Sequence, residues 1–139
     1  MTTPPRLFIV GKELLAVENT ELLLDEIDVA AVGRAFSVAE ALERLGEVNA
    51  DGAIIDLDVR GNVVELVGAL VRSGKRLIFM SDRFGPKFAE QFPDIACLEK
   101  PVTEAALREA VARAFNGSYQ PLAGKRRRKK INLAAALRP

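Results

Sequence analysis

Five short apolar runs, each followed by residues spaced like a helix, constrain this chain more than any other feature. Arg6 to Val10, Val29 to Phe36, Ala53 to Leu57, Arg76 to Ser81 and Ile95 to Glu99 read as strands. The third and fourth runs are apolar at successive positions, as central strands covered on both faces should be. The intervening segments read as helices. Glu13 to Ile27 carries Leu14, Leu15, Val17, Leu22, Leu23 and Leu24 as a broad apolar face. Ser37 heads a capping box, Ser37-Val38-Ala39-Glu40, for a helix reaching about Gly46. Asn62 caps Val63 to Arg72, which stops at Ser73-Gly74. Gly85-Pro86 breaks the chain before a short helix near Lys87 to Gln91, and Thr103 caps a last helix to Phe115. Strict alternation of this kind predicts an α/β fold, a doubly wound five-stranded parallel sheet with helices on both sides.

The 139 residues suit one domain, residues 1–117, followed by a basic, flexible tail over 118–139. No apolar run reaches the roughly 18 residues needed to span a membrane, and Thr2-Thr3-Pro4-Pro5 does not open a signal pattern. The single cysteine, Cys97, excludes an internal disulfide and fits a reducing cytoplasm. Histidine is absent, which removes His-based metal sites, Ser-His or Cys-His nucleophiles and phosphohistidine donors. The net charge of +1 conceals a split: residues 117–139 hold seven basic and no acidic residues, which leaves −6 on the rest.

Polar residues end three of the strands. Asp56 follows Ala53-Ile54-Ile55, Ser81 follows Leu77-Ile78-Phe79-Met80, and Lys100, with Pro101 after it, follows Ile95 to Glu99. The C-terminal edge of a parallel sheet is where such folds bind ligands. A carboxylate, a hydroxyl and an ammonium converging there suit chemistry on one anionic group. The first strand ends differently, in Gly11-Lys12.

These pieces, Ala53-Ile54-Ile55-Asp56-Leu57-Asp58, Phe79-Met80-Ser81 and Leu98-Glu99-Lys100-Pro101, in this order and spacing, resemble a receiver domain of bacterial two-component signalling. The resemblance covers residues 6 to about 116 and implies a (βα)5, flavodoxin-like architecture and a non-enzymatic, cytoplasmic signalling role. The stretch after the fourth strand is similar to the alphaproteobacterial subgroup with a Phe-Ala-Thr-Gly signature, with Met80, Ser81 and Asp82 in place of Ala, Thr and Gly. By position, the resemblance makes Asp56 the phosphoryl acceptor, giving a labile acyl phosphate. Lys100 would pair with a phosphoryl oxygen, and Ser81 would donate to the phosphoryl group and draw the following loop inward. Pro101 follows a peptide bond that is often cis in this family; the dipeptide alone leaves the isomer open.

Two departures stand beside the match. Receivers carry two acidic residues after the first strand that bind Mg²⁺, and this chain has Gly11 and Lys12 there. Asp56, Asp58 and Glu13 are the carboxylates left for a weak metal site. Lys12, turned inward to about 4 Å from Asp56, would be worth roughly 4 kcal/mol before desolvation at an effective dielectric of about 20. It would substitute in part for the metal or lock Asp56 in an ion pair. The second departure is Cys97, a small core thiol where receivers place a switching Tyr or Phe; Phe84 is the alternative ring.

The expected partners are a histidine kinase or phosphotransfer protein and a downstream protein, with output by protein contact. A homodimer through the last helix and its neighbours is open. The basic run Lys125, Arg126, Arg127, Arg128, Lys129 and Lys130 suits nucleic acid, an anionic surface or the acidic body itself. Two other readings compete: a pseudo-receiver read without phosphorylation, and a basic-tailed nucleic-acid binder using the fold as scaffold. An enzyme on a flavodoxin-like fold is disfavoured, because no Gly-rich phosphate loop follows the first strand.

Overall fold

The computed structural model describes residues 4–91 and 95–115. The expected basic tail and its run Lys125 to Lys130 lie outside the described residues. The elements alternate as β1 (Arg6–Val10), α1 (Leu14–Glu26), β2 (Ala30–Ala35), α2 (Val38–Leu45), β3 (Gly52–Asp56), α3 (Val63–Arg72), β4 (Arg76–Ser81), α4 (Pro86–Gln91), β5 (Ala96–Glu99) and α5 (Glu104–Phe115). All strand pairs are parallel, in the order β2-β1-β3-β4-β5. The predicted five-stranded doubly wound sheet is the one observed. From β1 the chain builds outward to β2, then returns to the other side at β3, so the topological switch point lies between β1 and β3.

Strand alternation sorts the core into two layers. Phe8, Val10, Ala53, Ile55, Leu77 and Phe79 pack with Val38, Ala41, Leu66, Val67, Leu70 and Phe88. Leu7, Ile9, Ile54, Ile78, Met80 and Leu98 pack on the opposite face with Val17, Leu24, Leu107, Ala110 and Ala114. All five residues of β3 and four of six in β4 are buried, which is why their sequences read as continuous apolar runs.

The predicted caps hold. Ser37 Oγ accepts from the Glu40 amide at 3.0 Å, and Glu40 reaches back to the Phe36 amide at 2.8 Å. Asn62 accepts from the Glu65 amide at 3.3 Å, and Thr103 Oγ1 from the Ala106 amide at 3.1 Å. Each satisfies an amide that the first helical turn leaves without a backbone partner.

Helix α1 corrects one expectation. Only Val17, Thr20 and Leu24 of this helix are buried. Leu14, Leu15 and Leu22, read from sequence as part of the core face, are 49%, 79% and 66% exposed. At 100° per residue the two leucine clusters spread over more than half the helix circumference, and the sheet covers only the side centred on Val17 and Leu24.

Candidate functional site at the C-terminal sheet edge

β3 delivers Asp56 to the sheet edge as a fully covered side chain, 1% exposed. A buried carboxylate needs partners for its lone pairs, and it has two. Lys100 Nζ donates to Oδ2 at 2.7 Å, and the Asp58 amide donates to Oδ1 at 2.9 Å. β5 sets the lysine: the Lys100 amide donates to the Ser81 carbonyl at 2.9 Å, continuing the β4–β5 pairing one step past the strand. The Lys100–Pro101 bond is cis. Asp82, at 80% side-chain exposure, stands 3.9 Å from Lys100 Nζ as a second, outer carboxylate. Partial burial pushes the Lys100 ammonium down, but the hydrogen bond and charge of Asp56, with Asp82 and Asp58 behind it, outweigh that and raise its pKa.

The loop that carries Asp58 is held in place from its far end. The Arg60 carbonyl accepts from the Val38 amide at 2.8 Å, and Gly61 follows at φ 111°. A Cβ on Gly61 would fall 2.7 Å from Val38 Cβ, so only glycine lets the loop close against α2.

Ser81 reaches the same edge, but its hydroxyl bonds within its own loop rather than to Asp56. Its hydroxyl donates to the Arg83 carbonyl at 3.3 Å and accepts from the Arg83 amide at 3.4 Å, closing a local turn. Phe84 follows, its amide 3.4 Å from Glu99 Oε2 and its ring 5.0 Å from that of Phe88.

The β1 side of the edge differs. Gly11 continues the sheet, its amide donating to the Ala35 carbonyl at 3.0 Å. A Cβ there would fall 2.6 Å from Val17 Cγ2, so the first turn of α1 fills the space that a side chain at residue 11 would need. Lys12 and Glu13 are both exposed. The inward Lys12 pose therefore does not form: the lysine lies in solvent, and among the described residues it has no ion-pair partner. Glu13 starts α1 at the N-cap position and makes no side-chain cap. Among the described residues no three Asp, Glu or Cys side chains gather as a metal-holding group, so the set Asp56, Asp58 and Glu13 does not assemble. Mg²⁺ is the ion a receiver resemblance implies; with Gly11 closed off by Val17 and Glu13 in solvent, the residues present do not fit it.

Cys97 also departs from expectation. β5 alternates, burying Ala96 and Leu98 and leaving Cys97 and Glu99 facing outward, so the thiol is not in the core. Local desolvation still pushes it up to about 11, with Arg113 opposing and Glu99 adding. Residues not singled out from sequence are Val17, which closes the β1 corner, and Asp82, which touches Lys100. Asp82 was legible only as the residue in place of the signature glycine. Val17 looked like any core position on α1.

No family model matches the chain, and no curated protein matches it. Solved structures do. SdrG from Pseudomonas melonis Fr1, in its BeF3-activated conformation, superposes with a TM-score of 0.67 at 28% identity, covering 81% of this chain and 98% of that one. The response regulator PhyR from Brucella abortus gives a TM-score of 0.74 at 19% identity over 87% of this chain and 52% of its own length. The RcsB response regulator of Salmonella typhimurium gives 0.69 at 19% identity, over 80% of this chain and 60% of that one. This chain thus spans only about half to two-thirds of the two longer regulators and nearly all of SdrG. The two likenesses at 19% speak for the fold, which is that of response-regulator receiver domains. The likeness to SdrG over nearly its whole length supports an atypical receiver domain.

Proposed function

We propose that this chain is a signalling receiver that acts through protein–protein contact, with Asp56–Lys100 as a standing ion pair rather than a metal-dependent phosphoryl switch. The observation that carries this reading is the closed β1 corner, where Val17 occupies the space beside Gly11. Phosphoryl transfer is mostly positioning and charge neutralisation. Here one ammonium serves Asp56, and it is already bound at 2.7 Å. Ser81 supports the same reading, since its hydroxyl is committed to Arg83. The chain in this role is not an enzyme. Its downstream partner is a protein that reads the receiver surface in the cytoplasm. A homodimer through α4, β5 and α5 is compatible with it.

A second reading keeps Asp56 as phosphoryl acceptor for a histidine kinase or phosphotransfer protein. It is favoured by the placement of Asp56 and Lys100 at the C-terminal ends of β3 and β5, on either side of β4, and by SdrG, solved in its BeF3-activated conformation. The two separate in one experiment: incubate the full chain with acetyl phosphate and Mg²⁺, and measure intact mass. The ion-pair reading predicts no adduct. A phosphoryl adduct that Asp56→Asn abolishes would establish the second reading instead.

A further inference from the structure

α1 presents a surface that nothing in the described structure covers. Leu14, Leu15 and Leu22 stand on its outward side at 49%, 79% and 66% exposure. At 100° per residue Glu18, Asp25 and Glu26 share that side with them, and all three are exposed. Among the described residues none of the three has an ion-pair partner; the acidic residue of α1 that has one is Glu21, held by Arg34 at 2.7 Å. The helix contains no Lys or Arg, and Glu13 and Asp28 flank it. An apolar stripe lined by unpaired carboxylates calls for an occupant that is apolar and basic.

The chain carries one such segment. Lys125 to Lys130 is six consecutive basic residues, and Ile131, Leu133 and Leu137 follow directly. The topology brings it to the right side. α5 and α1 share one face of the sheet, where Val17 and Leu24 pack with Leu107, Ala110 and Ala114. α5 ends beside the start of β3, where Phe115 Cζ lies 2.8 Å from the position a Gly52 Cβ would take. α1 runs back toward that same edge before Asp28 turns the chain into β2. Residues 116–124 separate Phe115 from the basic run. Nine extended residues span about 30 Å, and a 13-residue helix is about 20 Å long, so the tether covers all of α1. A short tether also gives the segment a local concentration of order millimolar, which lets weak charge and apolar contacts hold it.

We propose that residues 125–137 dock in cis on the outward face of α1, the basic run against Glu18, Asp25 and Glu26 and the apolar residues against Leu15 and Leu22. The docking does not depend on whether Asp56 is phosphorylated. The test uses the full chain with Cys97→Ser and a nitroxide on Ala135→Cys, read by paramagnetic broadening of backbone amides. The expected result is strong broadening along α1, with outward α3 amides such as Val64 and Val71 spared. Because the tether alone brings the label near one end of α1, the deciding readout is its loss. Leu15→Gln with Leu22→Gln, or Glu18→Lys with Asp25→Lys, should each cut the α1 enhancement about threefold or more, as should raising salt from about 0.05 to about 0.5 M. These positions are exposed, so the fold survives the changes. Enhancement unaffected by those variants would overturn the proposal. So would broadening of an isotope-labelled, spin-free copy in a mixed sample, which would place the segment on a second molecule. Broadening of α1 that appears only after duplex DNA is added would also overturn it, and would assign the basic run to nucleic acid.

Discussion

The two halves of the C-terminal sheet edge are built to different ends. On the β3–β5 half, Asp56 and Lys100 meet at 2.7 Å, with Asp58 and Asp82 arranged around them. On the β1 half, a few ångströms of backbone away in register, Gly11 is roofed by Val17 and the next two side chains leave for solvent. The comparison teaches that the ion pair of this fold and its metal corner are separable. The pair is fixed by strand register and by the Lys100–Ser81 backbone bond, neither of which involves β1 side chains. The pair does not require an acidic corner: Asp56, at 1% exposure, has no ion-pair partner but Lys100 among the described residues.

The largest expected effect tests that need. Lys100→Met leaves Asp56 buried and unpaired and should cost about 3 kcal/mol in urea unfolding, whereas Asp56→Asn with Lys100→Met should recover much of it. A cost under about 1 kcal/mol would break the claim that the pair organises this half of the edge. Next comes the β1 half. Gly11→Asp should destabilise by about 1–3 kcal/mol through overpacking against Val17, with a less than additive cost when combined with Val17→Ala. Lys12→Ala should stay within about 0.5 kcal/mol, because an exposed lysine without a partner holds nothing.

A smaller effect follows from pH. The folded pKa of Lys100 is raised above its unfolded value. Its contribution is therefore complete below about 10.4 and is lost as pH climbs through the higher folded value. The gap in urea midpoint between wild type and Lys100→Met should narrow in strong alkali as Lys100 loses its proton; a gap that persists unchanged through strong alkali would contradict the assignment. The smallest effect concerns Cys97. With its thiol pushed up to about 11, the outward-facing sulfur should alkylate slowly at about pH 8 and speed up only as pH nears that value. Fast labelling at neutral pH would show the sulfur to be less desolvated than its place on β5 implies.

Local signals were the legible ones. Ser37, Asn62 and Thr103 cap helices because each acts on an amide three residues ahead, within its own sequence window. β3 and β4 were legible because burial on both faces writes itself as an unbroken apolar run. That Asp56 and Lys100 reach one sheet edge was legible from their places at strand ends. Three features were not legible, each for a tertiary reason. Val17 over Gly11 depends on how closely α1 approaches β1. The outward leucines of α1 depend on which side of an ambiguous apolar wheel the sheet covers. The exposure of Cys97 depends on the two-residue alternation of a four-residue strand whose register sequence alone left open.

The most direct test of the central claim is NMR of isotope-labelled full chain titrated with Mg²⁺ and then with beryllofluoride, with Asp56→Asn as control. The standing ion pair predicts no displacement of the Asp56, Ser81 and Lys100 resonances at about millimolar Mg²⁺, and none on adding beryllofluoride. Large shifts at those three residues that vanish in Asp56→Asn would contradict it, and would show a working phosphoryl switch without the acidic corner.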